Sequence, residues 1–293
     1  MGISASMVKE LRERTGAGMM ECKKALVETD GDMDAAVETL RKSGQAKADK
    51  KSSRVAADGR IVIAADGKRA AMVEINSETD FVAKDDNFVT FAEAVARAAL
   101  RSGAAEVSAL LSETLQGGAT VEAARTELVA KVGENISVRR VAVIAAADHL
   151  GTYTHSHGAR IGVLVALRRG SEELARDIAM HIAAINPAYL DAAAVPDEAL
   201  ERERRIFAEQ ARESGKPADI VEKMVTGRVA RYLKEITLLG QPFAKDPDLT
   251  VGQLLNDAGA EVTGFLRFEV GEGIAKKQEN FAEEVMAQLG RSV

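Results

Sequence analysis

Two hairpin-like stretches, each turning on a glycine and each followed by a helical stripe, constrain this chain more than any other feature. Over 59–76, two strand-like runs meet at Asp66-Gly67, a strong hairpin signal because a tight turn needs the positive φ that glycine adopts at no steric cost. Phe88, Phe91 and Val95 then recur at the spacing of one helix face. Over 152–167 a second hairpin turns near Gly158, and a helix beginning at Ser171 carries Leu174, Ile178, Ile182 and Ile185 on one side. The segments 67–76 (GKRAAMVEIN) and 158–167 (GARIGVLVAL) also run parallel in residue type. Self-similarity in this order predicts an α+β fold with two related core halves, each an antiparallel sheet backed by helices.

The rest of the chain is arranged around these halves. Residues 4–43 read as three short helices, broken at Thr15-Gly16-Ala17-Gly18 and at Asp30-Gly31, with Asp32 placed to cap the third. Val8, Leu11, Met19, Cys22, Leu26, Val37 and Leu40 supply the apolar face of a bundle that is marginal in size alone. From 41 to 54, six Lys or Arg stand against one Asp, which reads as a solvated linker. Helical patterning over 104–115 and 121–132, with Val121, Arg125, Leu128 and Val132 in line, ends at Gly133-Glu134-Asn135, and 136–146 returns as a strand. A charged, helix-favouring segment, the breaker Gly215-Lys216-Pro217 and a second helical stretch with Ile220, Met224 and Val225 predict an antiparallel helical hairpin inserted into the second half. Thr250 and Gln253 form a capping box for a helix at 251–258, 262–270 is a late strand, and Phe281, Val285 and Leu289 mark a C-terminal helix. The expected units are 1–54 (three helices and the basic linker), 55–140 and 141–190 with 230–273 (the core halves), 191–229 (the insertion) and 274–293 (the C-terminal module).

Composition narrows the function. A chain of 293 residues suits several packed units, and with 46% hydrophobic but 4% aromatic residues and no Trp its cores must be filled by Ala, Val, Leu and Ile. The single cysteine, Cys22, permits no internal disulfide and no multi-cysteine zinc site, and its stripe with Met19 and Leu26 marks a small core residue. No apolar run approaches the roughly 18 to 20 residues that cross a bilayer, and residues 1–10 hold no basic start followed by an apolar block. The chain is expected in the cytoplasm, without a membrane partner. A net charge of −6 gives no overall attraction to nucleic acid.

Catalytic chemistry leaves little trace. No nucleophile elbow, phosphate loop or dinucleotide fingerprint is present, and Gly16-Ala17-Gly18, lying between helices, reads as a turn. His155 and His157 alternate as two metal ligands could, with His149 nearby, yet no third ligand is evident and a solvent-facing strand edge is the simpler reading. His181, beside Ile182 on an apolar face, reads as a satisfied core or boundary histidine. The basic segment 41–54 is the best argument for an RNA- or ribosome-associated module, but it lacks the interleaved aromatics that base stacking needs, so direct nucleic-acid binding is not expected. A non-catalytic binding protein with no cofactor of its own remains. The loop Thr79-Asp80-Phe81-Val82 stands out: Phe81 sits among acidic residues, outside both strand alternation and helix stripe. Either Phe81 tucks beneath its own loop, or Asp80-Phe81 projects as an apolar wedge with a negative charge.

The chain closely resembles bacterial elongation factor Ts. The matching stretches are VKELRERTGAGMM at 8–20, CKKAL at 22–26, TDFVAK at 79–84, HGARIG at 157–162, GQPF at 240–243 and EVTGFLRFEVGEG at 261–273, in the family's order nearly end to end. The resemblance implies a guanine nucleotide exchange factor for the GTPase elongation factor Tu, with a ubiquitin-associated-like (UBA-like) N-terminal domain, a two-part core and a helical-hairpin insertion. It implies that Thr79, Asp80, Phe81 and Val82 enter the GTPase near its nucleotide and dislodge Mg²⁺. Arg12, Met19 and Met20 match residues that hold a helix of the GTPase, against a reading as ordinary core that is favoured for Met19 and evenly balanced for Met20. His157 matches the histidine that approaches the phosphate-binding loop, but Thr154-His155-Ser156 lengthens the approach to this turn, so either His155 or His157 fills the role. Two readings of the 191–229 hairpin stay open, self-association and packing on the complex.

Overall fold

The computed structural model describes residues 2–155, 158–213 and 215–275, and over them the fold is α+β. Helices α1 (Ala5–Thr15), α2 (Met19–Glu28) and α3 (Met33–Lys51) come first. Their ends have local causes. Ser4 Oγ accepts from Met7 N–H, Gly16 ends α1 in the left-handed region at φ +66°, and the Asp32 carboxylate accepts from Asp34 and Ala35 N–H at the start of α3. Val8, Leu11, Cys22, Ala25, Leu26 and Ala36 form the buried centre of this bundle.

Strands β1 (Asp58–Asp66) and β2 (Arg69–Ser77) are the first hairpin, with Gly67 turning at φ +56°. Helices α4 (Asp80–Ala83), α5 (Asp86–Ser102), α6 (Val107–Ser112) and α7 (Val121–Val132) follow, and β3 (Ile136–Ala145) completes an antiparallel sheet ordered β1-β2-β3. Phe88, Phe91 and Val95 of α5 pack with Val73 and Ile75 of β2 and with Leu128 and Val129 of α7 in one core.

The basic segment departs from expectation. Residues 41–51 are the last part of α3, not a solvated linker. The buried face of this stretch is made of Gly44 and Ala48, small residues that let α3 lie close on α7, and a Cβ added at Gly44 would meet Ala130 at 3.5 Å. The face is too small to register as an apolar stripe, which is why charge dominates its sequence.

The second half repeats the plan. Strands β4 (His149–Thr154) and β5 (Ile161–Arg168) form the hairpin, α8 (Glu172–Ile185) is capped by Ser171, and α9 (Asp197–Arg212) and α10 (Ala218–Ile236) follow. Strands β6 (Pro242–Phe243) and β7 (Asp246–Thr250), which pair with each other, helix α11 (Val251–Asp257) and strand β8 (Glu261–Glu269) complete it, and β8 joins the hairpin in a sheet ordered β4-β5-β8. The two long helices are antiparallel, since Phe207 meets Tyr232 edge-on at 6.1 Å while Arg228 donates to Gln210 at 3.0 Å, and α10 runs past 229 to Ile236. The Thr250–Gln253 capping box is present. Of the C-terminal helix expected over 274–293, residues 276–293 lie outside the described residues.

Ile61, Met72, Leu164 and Val270 form a small core between the two sheets, and Ile61 N–H donates to Ala159 O at 2.7 Å. Gly162 lets the sheets approach, because a Cβ there would lie 2.4 Å from Ile61 Cγ2.

Candidate partner-binding site

Residues 79–82 form a capped helical turn instead of an irregular loop. Thr79 Oγ1 accepts from Val82 N–H at 3.4 Å, Ser77 Oγ donates to Thr79 O at 2.8 Å, and Ala83 is buried beneath. Val82 is half-buried against the first core, which pins the turn on one side. Phe81 is 81% exposed, so the reading in which it tucks under its own loop is wrong. Asp80 is also exposed, and its Oδ2 lies 2.6 Å from Lys84 Nζ, a hydrogen bond that holds its carboxyl below the usual range. A negative charge and an aromatic ring thus stand together in solvent on a turn anchored from below.

The anchor comes from a second turn 55 residues away. Thr79 N–H donates to Glu134 Oε2 at 3.0 Å and the Thr79 hydroxyl to Glu134 Oε1 at 2.8 Å, while Asn135 N–H donates to Glu78 Oε1 at 2.6 Å. Each turn lends a carboxylate to the other's backbone. The sequence marks Gly133-Glu134-Asn135 only as a helix end, and no local pattern announces a partner so distant in sequence. The same turn is tied to the end of α3, as Lys51 Nζ donates to Gly133 O and Asn135 Nδ2 donates to Arg54 O at 2.7 Å.

The other candidates are distributed. Arg12 is exposed, and Met19 and Met20, in the first turn of α2, are 59% and 75% exposed. The core reading of Met19 is therefore corrected: the bundle centre is closed by Cys22, Ala25 and Leu26, and among the described residues no element covers the start of α2. His155 Nδ1 lies 3.3 Å from the Tyr153 hydroxyl, and His157 lies outside the described residues. Among the described residues no group of three His, Cys, Asp or Glu side chains could hold a metal. His181 is buried; its Nδ1 accepts from Ala244 N–H at 3.1 Å, so Nε2 carries the proton to Gln241 Oε1 at 2.9 Å. Three of the six cations of the basic segment are paired: Lys42 with Glu38, Lys47 with Glu21 and Arg54 with Glu78.

A family model described as Elongation factor TS matches residues 78–272, beginning one residue before the capped turn. The chain belongs to the elongation factor Ts family. Elongation factor Ts of Thioalkalivibrio sulfidiphilus is 63% identical over 292 residues, covering 98% of this chain and 99% of that protein. Elongation factor Ts of Methylococcus capsulatus is 60% identical over 295 residues, covering all of both, and that of Legionella pneumophila subsp. pneumophila is 57% identical over 289 residues, 98% of each. As a member of the elongation factor Ts family, the chain is an elongation factor of protein biosynthesis with a nucleotide exchange role. Among the described residues no helix is long and apolar enough to cross a membrane.

Proposed function

We propose that the chain binds elongation factor Tu in the cytoplasm and releases its GDP without catalysing any covalent step, with the turn Thr79-Asp80-Phe81-Val82 as the lever. The observation that carries this is the exposure of Phe81 on a turn whose backbone is held by Glu134. A GTPase grips its nucleotide through Mg²⁺ and backbone amides around the phosphates, so a ring and a carboxylate pressed into that site shift the geometry on which the grip depends. Linkage is reciprocal: a factor that weakens nucleotide binding is weakened by nucleotide to the same degree. A coupling of about 10⁴-fold needs about 5.5 kcal/mol of differential binding, more than one inserted side chain usually supplies. Arg12, Met19 and Met20 are the anchors that share the task, since exposed, flexible methionines adapt to an apolar helix surface. His155 or His157 contributes from the second half. The test is release of labelled GDP from purified elongation factor Tu. Wild type should accelerate it and the Asp80→Ala, Phe81→Ala double variant should not; no acceleration by wild type would overturn the reading.

A further inference from the structure

We infer that Glu134 is a positioning residue for exchange, holding the 79–82 turn in the shape that enters the partner; the inference rests on the lever reading above. A helix of four residues does not form by itself, because nucleation costs more than one turn of hydrogen bonds returns. Ala83 and part of Val82 are buried and hold the C-terminal side of the turn, but the exposed Phe81 adds no burial on the side that carries the wedge. What fixes the N-terminal side of the turn is its first residue, Thr79. The Thr79 hydroxyl donates to Glu134 Oε1, which leaves its lone pairs for Val82 N–H, so the carboxylate sets the direction of the cap as well as its position. The second carboxylate oxygen takes Thr79 N–H. Glu134 is fixed in its turn: Gly133 holds the left-handed φ of +82°, and Asn135 is bound through its N–H to Glu78 and through its side chain to Arg54 O. A site held this way meets its partner with little ordering left to do. Both Glu134 carboxylate oxygens accept from Thr79, so its part in exchange is to hold the turn.

The experiment titrates full-length chain against elongation factor Tu carrying labelled GDP, and reads both the limiting release rate and the half-saturating concentration. Glu134→Ala should lower the limiting rate about tenfold, the scale of one charge-assisted hydrogen bond, and leave the half-saturating concentration within about threefold. Thr79→Val should do the same, Thr79→Ser should restore the rate, and Glu134→Ala with Thr79→Val should be no slower than either alone. Loss of folded protein alone would raise the half-saturating concentration and spare the limiting rate, which overturns the inference. A slow Asp80→Ala, Phe81→Ala variant beside a wild-type Glu134→Ala overturns this inference only; a wild-type rate in that double variant overturns the lever and the inference together.

Discussion

Arg139 Nη1 donates to both carboxylate oxygens of Glu74, at 3.0 and 3.1 Å, where the ladder between β2 and β3 slips by one residue. Glu74 stands opposite Arg140 and Ile75 opposite Val138, so Arg139 is the extra residue, and two consecutive arginines reach one carboxylate. The Glu74 side chain is fully buried, and Gly271 N–H, just past β8, donates to it at 2.9 Å. Burial works to raise its pKa, yet the donors from Gly271, Arg140 and Arg139 outweigh it and hold the carboxyl below the usual range. One carboxylate thereby joins β2 and β3 of the first half to the end of the second.

A carboxyl held low in the folded state contributes stability that is present above its unfolded value near 4.5 and is lost as pH falls through the lower folded value. Glu74→Gln should cost about 2 to 3 kcal/mol at pH 7, less than for a fully buried pair because solvent reaches both arginines. Urea unfolding from pH 7 to 3 should show the gap to wild type narrowing below about pH 4.5, where wild type begins to lose the same contribution. A gap constant with pH would refute it.

His181 works in the opposite chemical sense. Burial lowers its pKa below 6.5, against the opposing effect of Gln241, and the proton-free Nδ1 accepts from Ala244. Its contribution is complete above 6.5 and declines as pH falls from there through the depressed folded value, because the unfolded chain binds the proton first. His181→Leu should remove that part of the pH dependence and cost about 1 to 3 kcal/mol at pH 7.5 by stranding Ala244 N–H. Chemical denaturation at pH 7.5, 6.5 and 5.5 checks both.

Gly162→Ala should destabilise the junction between the sheets by about 1 to 3 kcal/mol, because the new methyl group meets Ile61 Cγ2 at 2.4 Å and Met72 Sδ at 2.9 Å. Equilibrium unfolding of the variant measures the cost, and Ile61→Val in the same background should recover part of it.

Phe81→Ala should leave stability within about 0.5 kcal/mol of wild type, as expected for a side chain with nothing to lose on the folded surface. Thermal unfolding decides it. A loss of several kcal/mol would mean that the ring is buried after all.

Much of the architecture was legible because it rests on local signals. Gly67 and Gly158 marked the hairpins, Phe88, Phe91 and Val95 marked α5, and Asp32, Ser171 and the Thr250–Gln253 box marked helix starts. The misreadings share a cause in what lies across the chain. Residues 41–51 looked like a linker since their burial is through Gly44 and Ala48, which carry little apolar signal. Met19 had core spacing, but spacing does not say whether a neighbour covers the face. Phe81 could be read as exposed only through the family resemblance, and Glu134, bonded to a residue 55 positions away, had no pattern to reveal it.

The most direct measurement on Asp80-Phe81 as the lever is the affinity of the full chain for elongation factor Tu, nucleotide-free and loaded with GDP and Mg²⁺, for wild type and for Asp80→Ala, Phe81→Ala. If the turn disturbs the nucleotide site, wild type prefers the nucleotide-free form and the ratio of the two affinities shrinks by about tenfold or more in the variant. A ratio unchanged to within about twofold, beside intact binding, would place the coupling elsewhere and contradict the assignment.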